Sequence, residues 1–175
     1  MNFVLCGMMG SGKSRLGREL AFLTNRAWLD TDIEIEKRYG KISEIFKTHG
    51  EEYFRELEST LVEEISGKDR CVISTGGGVV LREENVTALK GNGKILYLRA
   101  TKQTLMARLQ KDKNRPLLQG EEDLAKKIEK LLNERTPVYE RVADVILDVD
   151  GYTVKENVKR VLEAFESKTK GVCTR

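Results

Sequence analysis

Histidine is nearly missing from this 175-residue sequence, where His49 is the only one. That excludes a Ser-His-Asp triad and a histidine-rich metal site. His49 stands just before Gly50 and reads as a polar residue ending a helix, with glycine as the stop. Cysteine is sparse too. Cys6, Cys71 and Cys173 are widely spaced and include no CxxC, so neither a disulfide framework nor a zinc site is expected. Two prolines exclude a proline-rich linker. No stretch approaches the ~20 apolar residues of a membrane span. The opening MNFVLCGMMG has no basic region and its apolar run breaks at Gly7, so no secretion leader is expected. Together these absences point to the cytosol. Charge of one sign is also lacking: 31 Lys and Arg face 28 Asp and Glu, a net +3. This balance argues against a nucleic-acid coat or an acidic tail, yet suits a small anionic ligand.

What remains is a chain long enough for one real core and too short for two ordinary domains. Short apolar runs alternate with helical patterns. Phe3–Cys6, Ala27–Leu29, Cys71–Ile73, Ile95–Leu98 and Val145–Leu147 read as strands. Helices are expected over 31–39, 42–48, 51–65, 82–90, 102–111 and up to about 141. The last helix carries Val154, Val158, Val161, Leu162 and Phe165 on one face. Strands separated by helices imply parallel βαβ units, hence a three-layer α/β/α sandwich on a five-stranded parallel sheet. One domain is expected over 1–170, with 171–175 a frayed tail.

The strongest motif is Gly7-Met-Met-Gly-Ser-Gly-Lys13-Ser14, which fits the phosphate-loop pattern and lies between an expected strand and helix. Its glycines let the backbone curl until successive N–H groups face one phosphate. The following helix adds its positive N-terminal end. Lys13 offers a cation to the β- and γ-phosphates, and the Ser14 hydroxyl can ligate Mg²⁺.

A regulatory GTPase needs an Asp-x-x-Gly after the third strand and an Asn-Lys-x-Asp to read guanine. The third strand instead runs into Ser74-Thr75-Gly76-Gly77-Gly78, and Asn-Lys-x-Asp is absent. Asp144-Val-Ile-Leu-Asp148 resembles the second motif of an ATP-driven motor, but its late position reads better as an edge strand with a capping Asp. Small-molecule kinases remain. Asp30-Thr31-Asp32 follows the second strand, where strand ends line the ligand crevice of a parallel sheet. The two carboxylates either face phosphates and acceptor or simply cap the next helix.

Taken together, the chain resembles the shikimate kinases, P-loop enzymes that phosphorylate the 3-hydroxyl of shikimate with MgATP. The resemblance covers nearly the whole chain. Besides the phosphate loop it rests on Asp30-Thr-Asp32, Phe54-Arg55-Glu-Leu-Glu58, Ser74-Thr-Gly-Gly-Gly78, Arg115-Pro-Leu-Leu118 and Arg135-Thr-Pro-Val-Tyr139. Another metabolite kinase of the same fold, acting on gluconate or a nucleoside monophosphate, is the alternative.

The resemblance implies a substrate-binding helical insert at about 31–66 and a lid at about 112–123. It implies acceptor contacts at Asp32, Arg55, Gly76, Gly77, Gly78 and Arg135. Arg55 and Arg135 suit a carboxylate, because guanidinium pairs with it in bidentate fashion, and Glu58, three residues from Arg55, can hold that guanidinium in place. Asp32 grips the acceptor hydroxyls as candidate general base. Asp30 organises Mg²⁺, with Ser14 as direct ligand. ATP is expected at Gly10, Ser11, Gly12, Lys13, Ser14, Arg15, Arg108, Arg115 and Tyr152. Within that set Lys13 and Arg115 are catalytic, Arg115 swinging in with the lid. Arg15 departs from relatives, which often have a small hydroxyl residue there. Arg108 stands either near adenine or on a helix surface. Phe46 and Phe54 are either pocket walls or core. Shikimate and ATP are the implied ligands of a cytoplasmic monomer that engages neither nucleic acid nor membrane.

Overall fold

In the computed structural model, residues 1–110 and 124–170 are described, the side chains of 166–170 excepted. The lid expected at 112–123, Arg115 within it, and the tail at 171–175 lie outside the described residues.

Five strands form one sheet: β1 (Asn2–Cys6), β2 (Ala27–Asp30), β3 (Cys71–Ser74), β4 (Gly93–Arg99) and β5 (Val145–Asp148). Their order is β2-β3-β1-β4-β5 and every pairing is parallel. The helices are α1 (Lys13–Thr24), α2 (Thr31–Tyr39), α3 (Ile42–Ser66), α4 (Glu83–Gly91), α5 (Lys102–Leu109), α6 (Leu124–Val142) and α7 (Val154–Lys170), with a 3₁₀ turn at Val79–Leu81. The two helices expected over 42–48 and 51–65 are both present as the halves of α3, separated by a kink at Gly50, whose φ of 85° and ψ of 176° are not helical.

Burial follows the order of the strands. Central β1 and β3 are buried at every residue, because helices cover both faces. The edge strands β2 and β5 are partly exposed. Val158 and Val161 of α7 are buried, and the Phe165 ring lies 4.9 Å from that of Phe3 on β1.

β5 is an edge strand, as its sequence suggests. Its Asp148, however, caps nothing among the described residues. It faces Arg99 in register and accepts from that guanidinium's Nε and Nη2 at 2.6 and 2.9 Å. From β1 the chain moves to one side, building β2 and β3, then crosses to β4 and β5 on the other. The connections therefore diverge about β1, and a crevice opens at the carboxyl ends of the strands there.

Candidate active site

The phosphate loop leaves β1 at Cys6 and enters α1 at Lys13. Gly7, Gly10 and Gly12 have φ of 139°, 79° and 98°, values that L side chains rarely adopt. Ser11 N donates to Met8 O at 3.1 Å and closes the turn. The buried Lys13 turns its Nζ into the loop, where it donates to the carbonyls of Gly7 and Met8 at 2.9 Å each. Ser14 is exposed at the start of α1. Burial raises the Cys6 thiol to about 12, so this residue beside the loop is a small apolar filler.

Arg108 is no free surface arginine. Its Nη1 donates to Gly10 O at 3.0 Å and Ser11 O at 3.1 Å, tying α5 to the phosphate loop. Arg15 is exposed and, with Ser14, Arg18, Glu19, Val154 and Lys155, lines a cavity of about 420 Å³ between the starts of α1 and α7. Tyr152 is half exposed. The Arg160 guanidinium lies over its ring, 4.0 Å from the centroid.

Asp30 ends β2 and caps α2, its Oδ1 accepting from Asp32 N at 3.1 Å and Ile33 N at 3.4 Å. Capping engages that one oxygen only, so the two readings of Asp30 are compatible. Asp30 Oδ2 and the Ser14 hydroxyl are hard oxygen donors that fit Mg²⁺, an ion that takes few protein ligands beside substrate phosphates.

Next to the loop, the carboxyl end of β3 carries three consecutive glycines. Their backbone groups can be accounted for one by one. Gly76 N donates to the buried Thr31 hydroxyl at 2.7 Å, and Gly76 O accepts from Val79 N at 3.3 Å. Gly77 O accepts from the Tyr139 hydroxyl at 2.6 Å. Gly78 O accepts from Leu81 N at 3.0 Å. Among the described residues, the N–H groups of Gly77 and Gly78 donate to nothing.

The side chains expected at the acceptor gather around these glycines. A Cβ on Gly76 would lie 2.5 Å from Glu58 Oε1 and 2.7 Å from Asp32 Oδ1. A Cβ on Gly77 would lie 3.3 Å from Arg135 Nη1, and one on Gly78 would overlap the Arg55 guanidinium. Two acids and two guanidiniums thus converge on this backbone, where any added side chain would press against them.

Arg55 donates to Glu58 Oε2 at 2.5 Å and to Glu51 Oε1 at 2.7 Å. Burial works against its charge, but the two carboxylates outweigh this and raise its pKa. Glu58 is 1% exposed, and its Oε1 has no partner. Burial pushes its carboxyl up to about 7, against the opposing pull of Arg55. Arg135 is buried as well, and its Nη1 has no partner. Unpaired buried cationic nitrogens are costly and mark where an anion fits. Phe54 is buried and stacked on Phe46 at 4.9 Å, with Arg55 lying 5.3 Å over its ring centroid. Phe54 belongs to the core and Phe46 packs against it.

A family model described as "Shikimate kinase" matches residues 9–166. The chain belongs to the shikimate kinase family. It is 42% identical over 167 residues to the shikimate kinase of Mannheimia succiniciproducens, covering 95% of each chain. It is 43% identical over 165 residues to that of Caldanaerobacter subterraneus, covering 94% of this chain and 95% of the relative. Among solved structures, shikimate kinase from Acinetobacter baumannii in complex with shikimate superposes with a TM-score of 0.92 at 36% identity, covering 95% of this chain and 93% of that one. Deoxyadenosine kinase from M. mycoides, at 17% identity and a TM-score of 0.63, shares the fold alone.

In this shikimate kinase family member, sequence reasoning left two site residues without a role. Thr31 and Tyr139 lie inside quoted motifs, yet nothing local shows what their hydroxyls reach. Tyr139 offers one signal, its position four residues after Arg135, which puts both on one face of α6.

Proposed function

We propose that this chain transfers the γ-phosphate of ATP to the 3-hydroxyl of shikimate, giving ADP and 3-phosphoshikimate, a step toward chorismate and the aromatic amino acids. The observation that carries the reading is the buried, partly unpaired Arg135 beside Arg55, opposite Asp32, around a triad with two uncommitted N–H groups. This set suits a small ligand with a carboxylate at one end and hydroxyls at the other.

Arg55 and Arg135 clamp the carboxylate, Glu58 holds Arg55, and Gly77 and Gly78 supply N–H groups. Gly76 shapes the pocket without offering its own N–H. Asp32 accepts the hydroxyl's hydrogen bond and orients its oxygen for in-line attack. The loose transition state of phosphoryl transfer asks more of position than of base strength. Gly10, Ser11 and Gly12 cradle the phosphates and Lys13 offsets their charge. Arg108 fixes the loop, and Arg15 and Tyr152 border the nucleoside. Ser14 and Asp30 would hold Mg²⁺, which would supply positive charge to offset the charge developing on the transferring phosphoryl group. Arg115, on a lid over 112–123, adds a cation to the transferring group, and the helices at about 31–66 carry the acceptor. We assign the chain as a single cytoplasmic domain, active as a monomer. Among the described residues, no helix is long and apolar enough to cross a membrane.

The test is product analysis by ³¹P and ¹H NMR after incubation with MgATP and shikimate. One phosphate ester on the 3-oxygen is expected. An ester elsewhere, or none, would overturn the reading.

A further inference from the structure

Three consecutive glycines have many backbone conformations open to them, so a binding surface made from their N–H groups needs an outside restraint. Gly76 has one in Thr31. For the next peptide the only restraint among the described residues is the Tyr139 hydroxyl on Gly77 O. We propose that Tyr139 is a positioning residue, whose hydroxyl aims the Gly77–Gly78 peptide so that Gly78 N–H joins Arg55 and Arg135 at the acceptor's carboxylate. This rests on the acceptor reading above.

The argument is geometric. Among the described residues there is no cis peptide, and in a trans peptide C=O and N–H point to opposite sides. A Gly77 carbonyl drawn toward Tyr139 therefore turns Gly78 N–H away from it. Gly78 itself lies against the Arg55 guanidinium. Tyr139 is fully buried, its ring 5.0 Å from that of Tyr97 and its oxygen 3.9 Å from Met8 Sδ, so the hydroxyl has little freedom.

Arg135 stands one turn earlier on α6, and both side chains meet the same glycine: a Cβ on Gly77 would lie 3.3 Å from Arg135 Nη1 and 3.6 Å from the Tyr139 hydroxyl oxygen. Burial raises the phenol pKa, so the group keeps its proton and remains a donor. Tyr139 thus holds the peptide that lies beside the Arg135 guanidinium.

Tyr139→Phe removes the oxygen and keeps the ring. Shikimate binding, read by titration calorimetry and by KM, is expected to weaken roughly ten-fold, with ATP binding unchanged. The loss should shrink for the methyl ester of shikimate, whose anionic partner is gone; a packing defect would not make that distinction. Tyr97→Phe, which trims the stacked neighbour that does not reach the triad, should bind shikimate like the wild type. In the wild type, the Gly78 ¹H–¹⁵N resonance should move on adding shikimate while that of Gly76 stays. This measurement holds even if the variant melts early. Equal shikimate affinity in wild type and Tyr139→Phe, an equal loss for acid and ester, or an unmoved Gly78 resonance would overturn the proposal and leave the acceptor reading standing. A wild type that binds no shikimate would overturn both.

Discussion

The hydroxyl of Thr31 accepts a 2.7 Å hydrogen bond from the amide of Gly76. It fastens the Asp30-Thr31-Asp32 turn at the end of β2 to the glycine triad at the end of β3. Asp32 and the glycine triad, the groups proposed to meet the acceptor, are thereby set at a fixed spacing.

Thr31→Val keeps the shape and strands a buried N–H, at a cost of about 1–3 kcal/mol. The melting temperature should fall and the shikimate KM should rise. Thr31→Ser, which retains the oxygen, should behave like the wild type in both. Equal loss in Ser and Val variants would mean that the methyl group, not the hydrogen bond, matters.

Arg55 and Arg135 should separate binding from stability. Removing Arg55 leaves Glu58 buried without its partner, so Arg55→Ala should lose both shikimate affinity and thermal stability. Arg135 already has an unpaired Nη1, so Arg135→Ala should lose shikimate affinity with a smaller fall in melting temperature. Each change should raise the shikimate KM on the order of 10- to 100-fold, as expected for charge-assisted hydrogen bonds. The ATP KM should stay put in both.

Glu58 makes folding sensitive to pH. Its carboxyl titrates at about 7 in the fold against an ordinary 4.5, so the folded state holds the proton more tightly than the unfolded chain. Its contribution to stability is therefore full below about 4.5 and is lost as pH rises through about 7. Urea unfolding at a series of pH values should show that decline. Glu58→Gln, a permanently neutral isostere, should flatten the curve in this window. Parallel curves for the two proteins would refute the assignment.

Much of this was legible in the sequence. Periodicity located every strand to within a residue or two, because buried parallel strands are continuous apolar runs and the intervening helices carry clear stripes. Lys13 was singled out by the phosphate-loop pattern, whereas Arg55 and Arg135 were singled out only by the resemblance to the family; the structure brings both guanidiniums to the glycine triad. Thr31 and Tyr139 were not legible as site residues. Their hydroxyls act across 45 and 62 residues of chain, on glycines that carry no side chain to signal the contact. Arg108 was ambiguous for the same reason. A helix-surface position does not reveal that the side chain crosses to carbonyls nearly a hundred residues away. Asp148 misled because an apolar run ending in Asp looks alike whether the acid caps a turn or pairs across a strand.

Lys13→Ala should lower kcat at least ~10²-fold, the scale of losing one charge-stabilising donor at a reacting group. The Lys13 Nζ also bridges two loop carbonyls, so circular dichroism should accompany the assay and show an intact fold. A folded variant with wild-type turnover would take Lys13 out of the reaction.

The most direct test of the central claim is one coupled assay of ADP release with MgATP, run in parallel with shikimate, gluconate and a set of nucleoside monophosphates. The account predicts a kcat/KM for shikimate far above the others, with ADP release at background when no acceptor is present. Turnover of gluconate or a nucleoside monophosphate that equals or exceeds that of shikimate would contradict it.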